Sequence, residues 1–290
     1  MVVDILVNGI ILGGMYAILA VGFALIFSVA GIINIAHTAF YMLSAFLILI
    51  ATEYLHWSIF PAIIVGILLT IILGILCFKI LLDRVKEHQA TVMIMSIALA
   101  MLIQEILLLQ FGGTHRGMDP FVKGFVDIFG TRASYQQLFA TSLIWVVLIV
   151  LWLWLSKTRM GNAIRAMSQD AETASLMGID VSNVYVVVMA VSVGLAAIAG
   201  AVMGPIYMIS PLMWAPPIVV VLASVVLGGM GSIGGAVIGA FILGFVETLV
   251  VFLIPGGSFM SGAASLSVMV LVLMIKPEGL FGVFFEEERL

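Results

Sequence analysis

A chain of 290 residues that is 64% hydrophobic and only 9% charged, with a mean hydropathy of +1.32, carries far too little polar surface to coat a water-soluble globule of its size. Apolar runs of membrane-crossing length recur throughout and are continuous rather than alternating, which excludes a β-barrel and leaves helices as the spanning elements. The net charge of −4, from 11 basic and 15 acidic residues, bears on solubility, whereas orientation follows the placement of Lys and Arg.

The expected fold is all-α: a polytopic transmembrane helical bundle of about 8–9 spans with glycine-broken helices, residues 1–290 forming one transmembrane domain. The first predicted span covers 5–29. It lacks the basic start of a signal peptide and is too long for a signal-peptide core, so it is read as a retained helix. Gly31 then opens a break, GIINIAH, where Asn34 and His37 either cap a helix or lie beside unwound backbone that a ligand could reach.

Spans over 38–52, 58–82, 90–111, 136–156, 183–209, 216–228 with 232–254, and 262–275 follow. Lys79, Arg84 and Lys86 sit after the third span, Lys157, Arg159 and Arg165 after the fifth, and Lys276 and Arg289 after the last. The positive-inside rule places these three regions, and with them the C-terminus, in the cytoplasm. Parity puts 112–135 outside, where Asp119 and Asp127 dilute Arg116, Lys123 and Arg132. Counting 216–228 and 232–254 as separate crossings gives nine spans and an outside N-terminus; a mere kink at GGMGSIGG gives eight.

Gly9, Gly13 and Ala17; Ser192, Ala196, Gly200 and Gly204; and Gly231, Gly235 and Gly239 recur at helical spacing. Such small-residue faces let helices approach closely, more often within one subunit than between subunits. Among polar residues in apolar runs, Gln104, Glu105 and Glu247 stand out, because ionisable groups at membrane depth are either hydrogen-bonded inside the bundle or part of a pathway. The single Cys77 excludes an intrachain disulfide, and His37, His56, His88 and His115 lack ligand spacing, so neither a metal nor a cofactor is expected.

Gly229, Gly231 and Gly234 spell G-x-G-x-x-G, yet both flanks are membrane-length and apolar, so the motif is read as a helix break or tight crossing instead of a dinucleotide site. The sequence contains no P-loop, G-x-S-x-G or H-E-x-x-H, so no catalytic residue is expected and any ATP hydrolysis belongs to another chain. No nucleic-acid partner is expected either.

Residues 157–182 are the longest polar interruption on the basic side, and they read as a docking loop. Asp170 and Glu172 suit the first turn of a short helix, Gly178 suits a left-handed stop, and Ala171, Ala174, Ser175 and Gly178 form an apolar strip that could lie in a partner's groove. An amphipathic helix resting on lipid is the alternative.

GMYAILAVGFALIFSVAGIINIAHTAFYML, KTRMGNAIRAMSQDAETASLMGID, VVLGGMGSIGGAVIGAFILG and IKPEGLFG occur in order, and together they resemble the LivH-type permease of branched-chain amino acid ABC importers over nearly the whole chain. Thr38 departs from the glycine usual after Ala36-His37, and Thr173 replaces the first alanine of the importers' E-A-A-x-x-x-G loop. The resemblance implies a LivM-like second permease, two cytoplasmic ABC ATPases, an extracytoplasmic amino acid binding protein, and a multi-pass place in the cytoplasmic (inner) membrane. It also implies that Arg159, Gly161, Arg165, Glu172, Ala174 and Gly178 shape the ATPase-docking segment. The same family could carry urea, amides or other amino acids. The rival from another class is a self-contained proton-coupled transporter that uses Glu105 and Glu247.

Overall fold

A computed structural model describes residues 2–82, 84, 88–128 and 131–282. Lipid offers no hydrogen bonds to an exposed backbone, so apolar segments satisfy their own amides by coiling. Eleven α-helices result among the described residues: α1 (Val2–Ala30), α2 (His37–Leu49), α3 (Ile59–Cys77), α4 (Gln89–Phe111), α5 (Tyr135–Lys157), α6 (Arg159–Gln169), α7 (Ala171–Leu176), α8 (Val181–Met203), α9 (Ala215–Gly228), α10 (Ile233–Leu253) and α11 (Ser261–Ile275). Among the described residues the strands are β1 (Phe125–Ile128) and β2 (Thr131–Ser134), a short antiparallel ribbon before α5 that the all-helical expectation did not include. π-helical turns extend α2 over Ile50–Tyr54 and α3 over Phe78–Leu82.

With those extensions, seven helices among the described residues are long and apolar enough to cross a membrane. The 14-residue α9 and 15-residue α11 rise only about 21 and 22 Å, short of a hydrocarbon core roughly 30 Å thick. The core is built on α1, α2 and α8, whose most apolar windows are 83%, 67% and 72% buried, against 22–28% for α3, α4 and α5. The latter three form an outer layer.

Small residues set the closest crossings. A Cβ at Gly200 would fall 2.2 Å from the Tyr41 carbonyl oxygen, and Ser44 Oγ donates to the Ala197 carbonyl (2.9 Å), which locks α2 against α8. Cβ atoms at Gly9 and Gly13 would run into Phe245 and Phe241 of α10. Gly235 abuts Gly228, and Gly239 abuts the Ser224 carbonyl. Members of all three predicted small-residue faces therefore pack within this chain, although Gly231 meets nothing and lies in a turn.

The pairings 228 with 235 and 224 with 239 make α9 and α10 an antiparallel hairpin. GGMGSIGG is thus a reversal between two helices, not a kink. Gly14 beside Ile144, with Val21 sharing a groove with Leu148, Leu151 and Leu155, sets α1 parallel to α5, while Gly9 beside Phe245 and Gly13 beside Phe241 set α1 antiparallel to α10. Two faces follow. One carries Arg84, Lys157, Arg159, Arg165, the α9–α10 turn and Lys276; Lys86 and Arg289 lie outside the described residues.

The opposite face carries the ribbon, and there the link between α4 and β1 is joined to the segment after α8, where Arg116 and Ile209 exchange backbone hydrogen bonds (2.9 and 2.8 Å). Arg116 there reaches Tyr54 Oη (3.2 Å), lies 3.9 Å from Glu53 and stacks 5.2 Å above the Phe111 ring. The predicted 183–209 span was too long. α8 stops at Met203 because Gly204-Pro205 follows, and proline supplies no amide to continue the ladder.

Candidate functional site

Four short-range devices shape residues 158–180. Thr158 Oγ1 accepts from the Gly161 amide (3.0 Å) and starts α6. Asp170 Oδ1 accepts from the amides of Glu172 (2.9 Å) and Thr173 (3.1 Å) and starts α7. Gly178, at φ +86°, stops α7, with its own amide bonded to Ser175 O and that of Ile179 to Ala174 O, the paired bonds of a Schellman cap. Asp180 Oδ1 then accepts from the Asn183 amide (3.1 Å) and starts α8. The predicted first-turn acid and glycine stop are thus in place, while Thr158 was not anticipated as a cap.

Burial divides the predicted docking residues into two groups. Gly161 and Ala174 are buried, together with Ile164 and Met167, and they seat the unit on the bundle. At Gly161 a Cβ would stand 2.2 Å from the Leu155 carbonyl oxygen, so α6 rides directly on the last turns of α5. Arg159, Arg165, Glu172 and Gly178 are exposed. The apolar strip expected to meet a partner faces the wrong way in part: Ala174 packs inward and Ala171 is half-buried. The open surface is carried by Glu172, Ser175, Leu176 and Met177, the last two 83% and 80% exposed. Helical spacing identifies a strip but not which neighbour claims it.

The Thr173 hydroxyl, followed by the Thr173 and Glu172 amides, holds the Asp170 carboxyl below its ordinary value of 3.8. A folded-state value below the unfolded one means that the cap contributes fully above that range and is lost only as pH falls through the folded value. Asp170→Ala is accordingly expected to raise hydrogen exchange several-fold at Glu172 and Thr173 across the neutral range, with α5 unchanged; equal protection in wild type and variant would remove the cap from the account.

Asn34 and His37 lie deep in the bundle. The link after Gly31 (φ +64°) folds back inward, so α2 begins beside Leu19, roughly three turns before the end of α1. His37 Nε2 donates to the Leu19 carbonyl (3.1 Å), while Ser192 Oγ lies 3.2 Å from Nδ1 and donates to the Gly22 carbonyl (2.7 Å). Asn34 Oδ1 caps the Ala36 amide (3.1 Å), and Ser96 Oγ accepts from the Ile35 amide (3.0 Å). This junction ties α1, α2, α4 and α8 together. Thr38, at the departure from the family pattern, is fully buried.

The two glutamates have different surroundings. Glu247 is buried between α1, α10 and α11, accepting from Tyr16 Oη (2.8 Å) and Ser265 Oγ (3.0 Å). Glu105 is exposed on α4 and accepts from neighbouring Gln104 (3.2 Å), whose own Oε1 accepts from Trp214 Nε1 (2.7 Å). Tyr16, Ser192 and Ser265 were not singled out as partners; each is a common residue type far away in sequence.

Gly229 (φ +102°) and Gly231 (φ +93°) make the α9–α10 turn, and Ser232 Oγ caps α10 through the Gly235 amide (3.0 Å). The segment after α11 returns to this turn: the Leu280 and Phe281 amides donate to the Leu227 and Gly228 carbonyls (2.8 and 3.0 Å), and Gly229 lies against Gly282. Gly234, by contrast, needs no special conformation, and a Cβ there would meet open space. Among the described residues no three His, Cys, Asp or Glu side chains gather as a metal site would require.

Among the described residues nine apolar helices, with a separately capped helix pair standing on one face, define a multi-pass helical membrane protein. The family model for the permease component of branched-chain amino acid transport systems matches residues 5–276, and the chain belongs to that family. It is 26% identical to the high-affinity branched-chain amino acid transport system permease protein BraD of Pseudomonas aeruginosa, covering 96% of this chain and 94% of that one. It is 28% identical to LivH of Escherichia coli, covering 95% and 94%. A similar fold occurs in PsaBC from Streptococcus pneumoniae in complex with Fab, with a TM-score of 0.54, 14% identity, and coverage of 94% of this chain and 92% of that one.

Proposed function

We propose that this chain is a permease subunit of an ABC importer that passes Leu, Ile or Val inward across the cytoplasmic membrane, with ATP hydrolysed on separate subunits. The observation that carries the proposal is the helix pair α6–α7, held by its own caps and seated on α5 through Gly161, with Glu172, Leu176 and Met177 turned outward. A rigid lever of this kind can transmit a partner's closure to the bundle. The excess of basic residues on its face supports a cytoplasmic location for it, with the start of α1 outside.

Full-length similarity to BraD and LivH supports the branched-chain substrates. A LivM-like second permease would complete the pore, two ABC ATPases would dock on α6–α7, and an extracytoplasmic binding protein would deliver the amino acid and supply most of the selectivity. Arg159 and Arg165 would add polar contacts at the ATPase surface.

The test is affinity purification in mild detergent with mass spectrometry of co-purifying chains, comparing wild type with the Glu172→Lys, Gly178→Asp double variant. The first change reverses an exposed charge, and the second forces a side chain into a left-handed conformation. P-loop ATPases are expected with wild type and not with the variant. Their absence from wild type, under conditions that preserve other membrane complexes, would overturn the importer reading and favour proton-coupled transport.

A further inference from the structure

On the Lys157 face the bundle leaves a groove of about 280 Å³ between α5 and α10, floored by Val21 of α1. Trp145 and Phe241 stack across the two helices with centroids 5.3 Å apart, and beyond them the helices part. Leu148, Leu151 and Leu155 form one wall, Ile233 and Val237 the other. Gly234 borders the open mouth, where a Cβ would meet nothing within 4 Å.

The lining is apolar apart from the Trp152 indole N–H and, at one end, Ser156 and Arg165. Ser156 is next to last in α5, so this end sits where the hydrocarbon gives way to headgroups. Arg165 is exposed and uses Nη2 on Asn162 Oδ1 (2.6 Å) and the Ser156 carbonyl (3.4 Å), out of the five N–H donors a guanidinium offers. Lys157 and Arg159 are exposed nearby in sequence, and α6 contains no acidic residue to balance them.

We infer that this groove binds an anionic phospholipid from the leaflet on the Lys157 face, with an acyl chain along the leucine wall and the phosphate at Arg165. An apolar slot at hydrocarbon depth, closed by a cation at headgroup depth, matches an amphiphile with a negative head and no other ordinary bilayer component as well. A zwitterionic lipid satisfies the walls but leaves the local positive charge unbalanced. Because α6 is seated through Gly161 and Arg165 heads the groove, the lipid would tie the docking unit to the bilayer. The inference needs only the membrane-spanning fold; a phosphate at Arg165 would take the place of the ATPase contact proposed for that side chain and leave Arg159 to the ATPase, and a measurement on the chain alone tests it without either the substrate or the ATPase.

The test is native mass spectrometry of the full chain, released from detergent with phosphatidylglycerol or phosphatidylcholine bearing the same acyl chains. Wild type is expected to retain the anionic lipid to higher activation energy. Arg165→Gln should lower phosphatidylglycerol retention more than phosphatidylcholine retention and so narrow the gap between the two lipids, and Gly234→Leu, directed into open space, should reduce both. A phospholipid with a photoreactive chain terminus should label residues within 148–155 or 233–237. Equal retention of the two lipids by wild type, labelling elsewhere, or a dimeric mass with the groove protected by a second copy would each overturn the inference.

Discussion

Gly161→Val is expected to abolish transport while leaving the chain inserted and folded. The added Cβ would stand 2.2 Å from the Leu155 carbonyl oxygen and 2.6 Å from its carbonyl carbon and Cα, all backbone atoms that cannot rotate away. Relief requires α6 to lift off the end of α5, which displaces Glu172, Leu176 and Met177 together. Each ~1.4 kcal/mol lost at a docking surface lowers assembly about tenfold, so even a modest tilt is costly. Uptake in proteoliposomes and ATPase co-purification should both fall at least that far, with helix content and thermal transition of the bundle near wild type. Retained uptake would mean that α6–α7 does not transmit the partner's motion. Gly178→Ala gives a milder comparison, because it strains only the last turn of α7.

The second large effect concerns Glu247. In Glu247→Leu the Tyr16 and Ser265 hydroxyls lose their shared acceptor inside the bundle, and each stranded group costs about 1–3 kcal/mol. Glu247→Gln keeps one acceptor oxygen and should fall between wild type and leucine in detergent thermal stability. Removing all three partners, as Tyr16→Phe, Ser265→Ala and Glu247→Leu together, should restore most of that stability, since no buried group then lacks a partner. The triple variant also separates structure from pathway. Recovered stability with recovered transport identifies a tie between α1, α10 and α11; recovered stability without transport gives Glu247 a direct part in translocation and revives the proton-coupled alternative.

Hydropathy alone located the long helices because a bilayer imposes both length and helicity on a spanning segment. Both glycine breaks were legible too, GIINIAH as the link to α2 and GGMGSIGG as a break between α9 and α10 that could equally have been a kink, which the pairing of Gly228 with Gly235 decides. Two errors came from asking hydropathy for more than it holds. Residues 204–209 stay largely apolar after α8 has ended, and Pro205 was the signal to weigh. The ribbon from 125 to 134 is too short for alternation to register against a polar background.

At the docking segment, local rules sufficed for Asp170 and Gly178, whose partners lie within five residues. They failed for Ala174, whose neighbour is another element. The Tyr16 and Glu247 pair, 231 residues apart, carries no local mark at all.

The return of residues 280 and 281 to the carbonyls of Leu227 and Gly228 also constrains the order of biosynthesis. α9 and α10 can enter the bilayer and fold against each other as soon as both have left the ribosome. The last two carbonyls of α9 stay unpaired until α11 has crossed and the segment beyond it has been made. Maturation of this membrane bundle is therefore timed by a stretch translated some fifty residues after the helix it completes, as the spacing from Gly228 to Phe281 dictates. A stop codon placed just after Lys276 would release a chain with α1 through α11 present and α9 still unfinished.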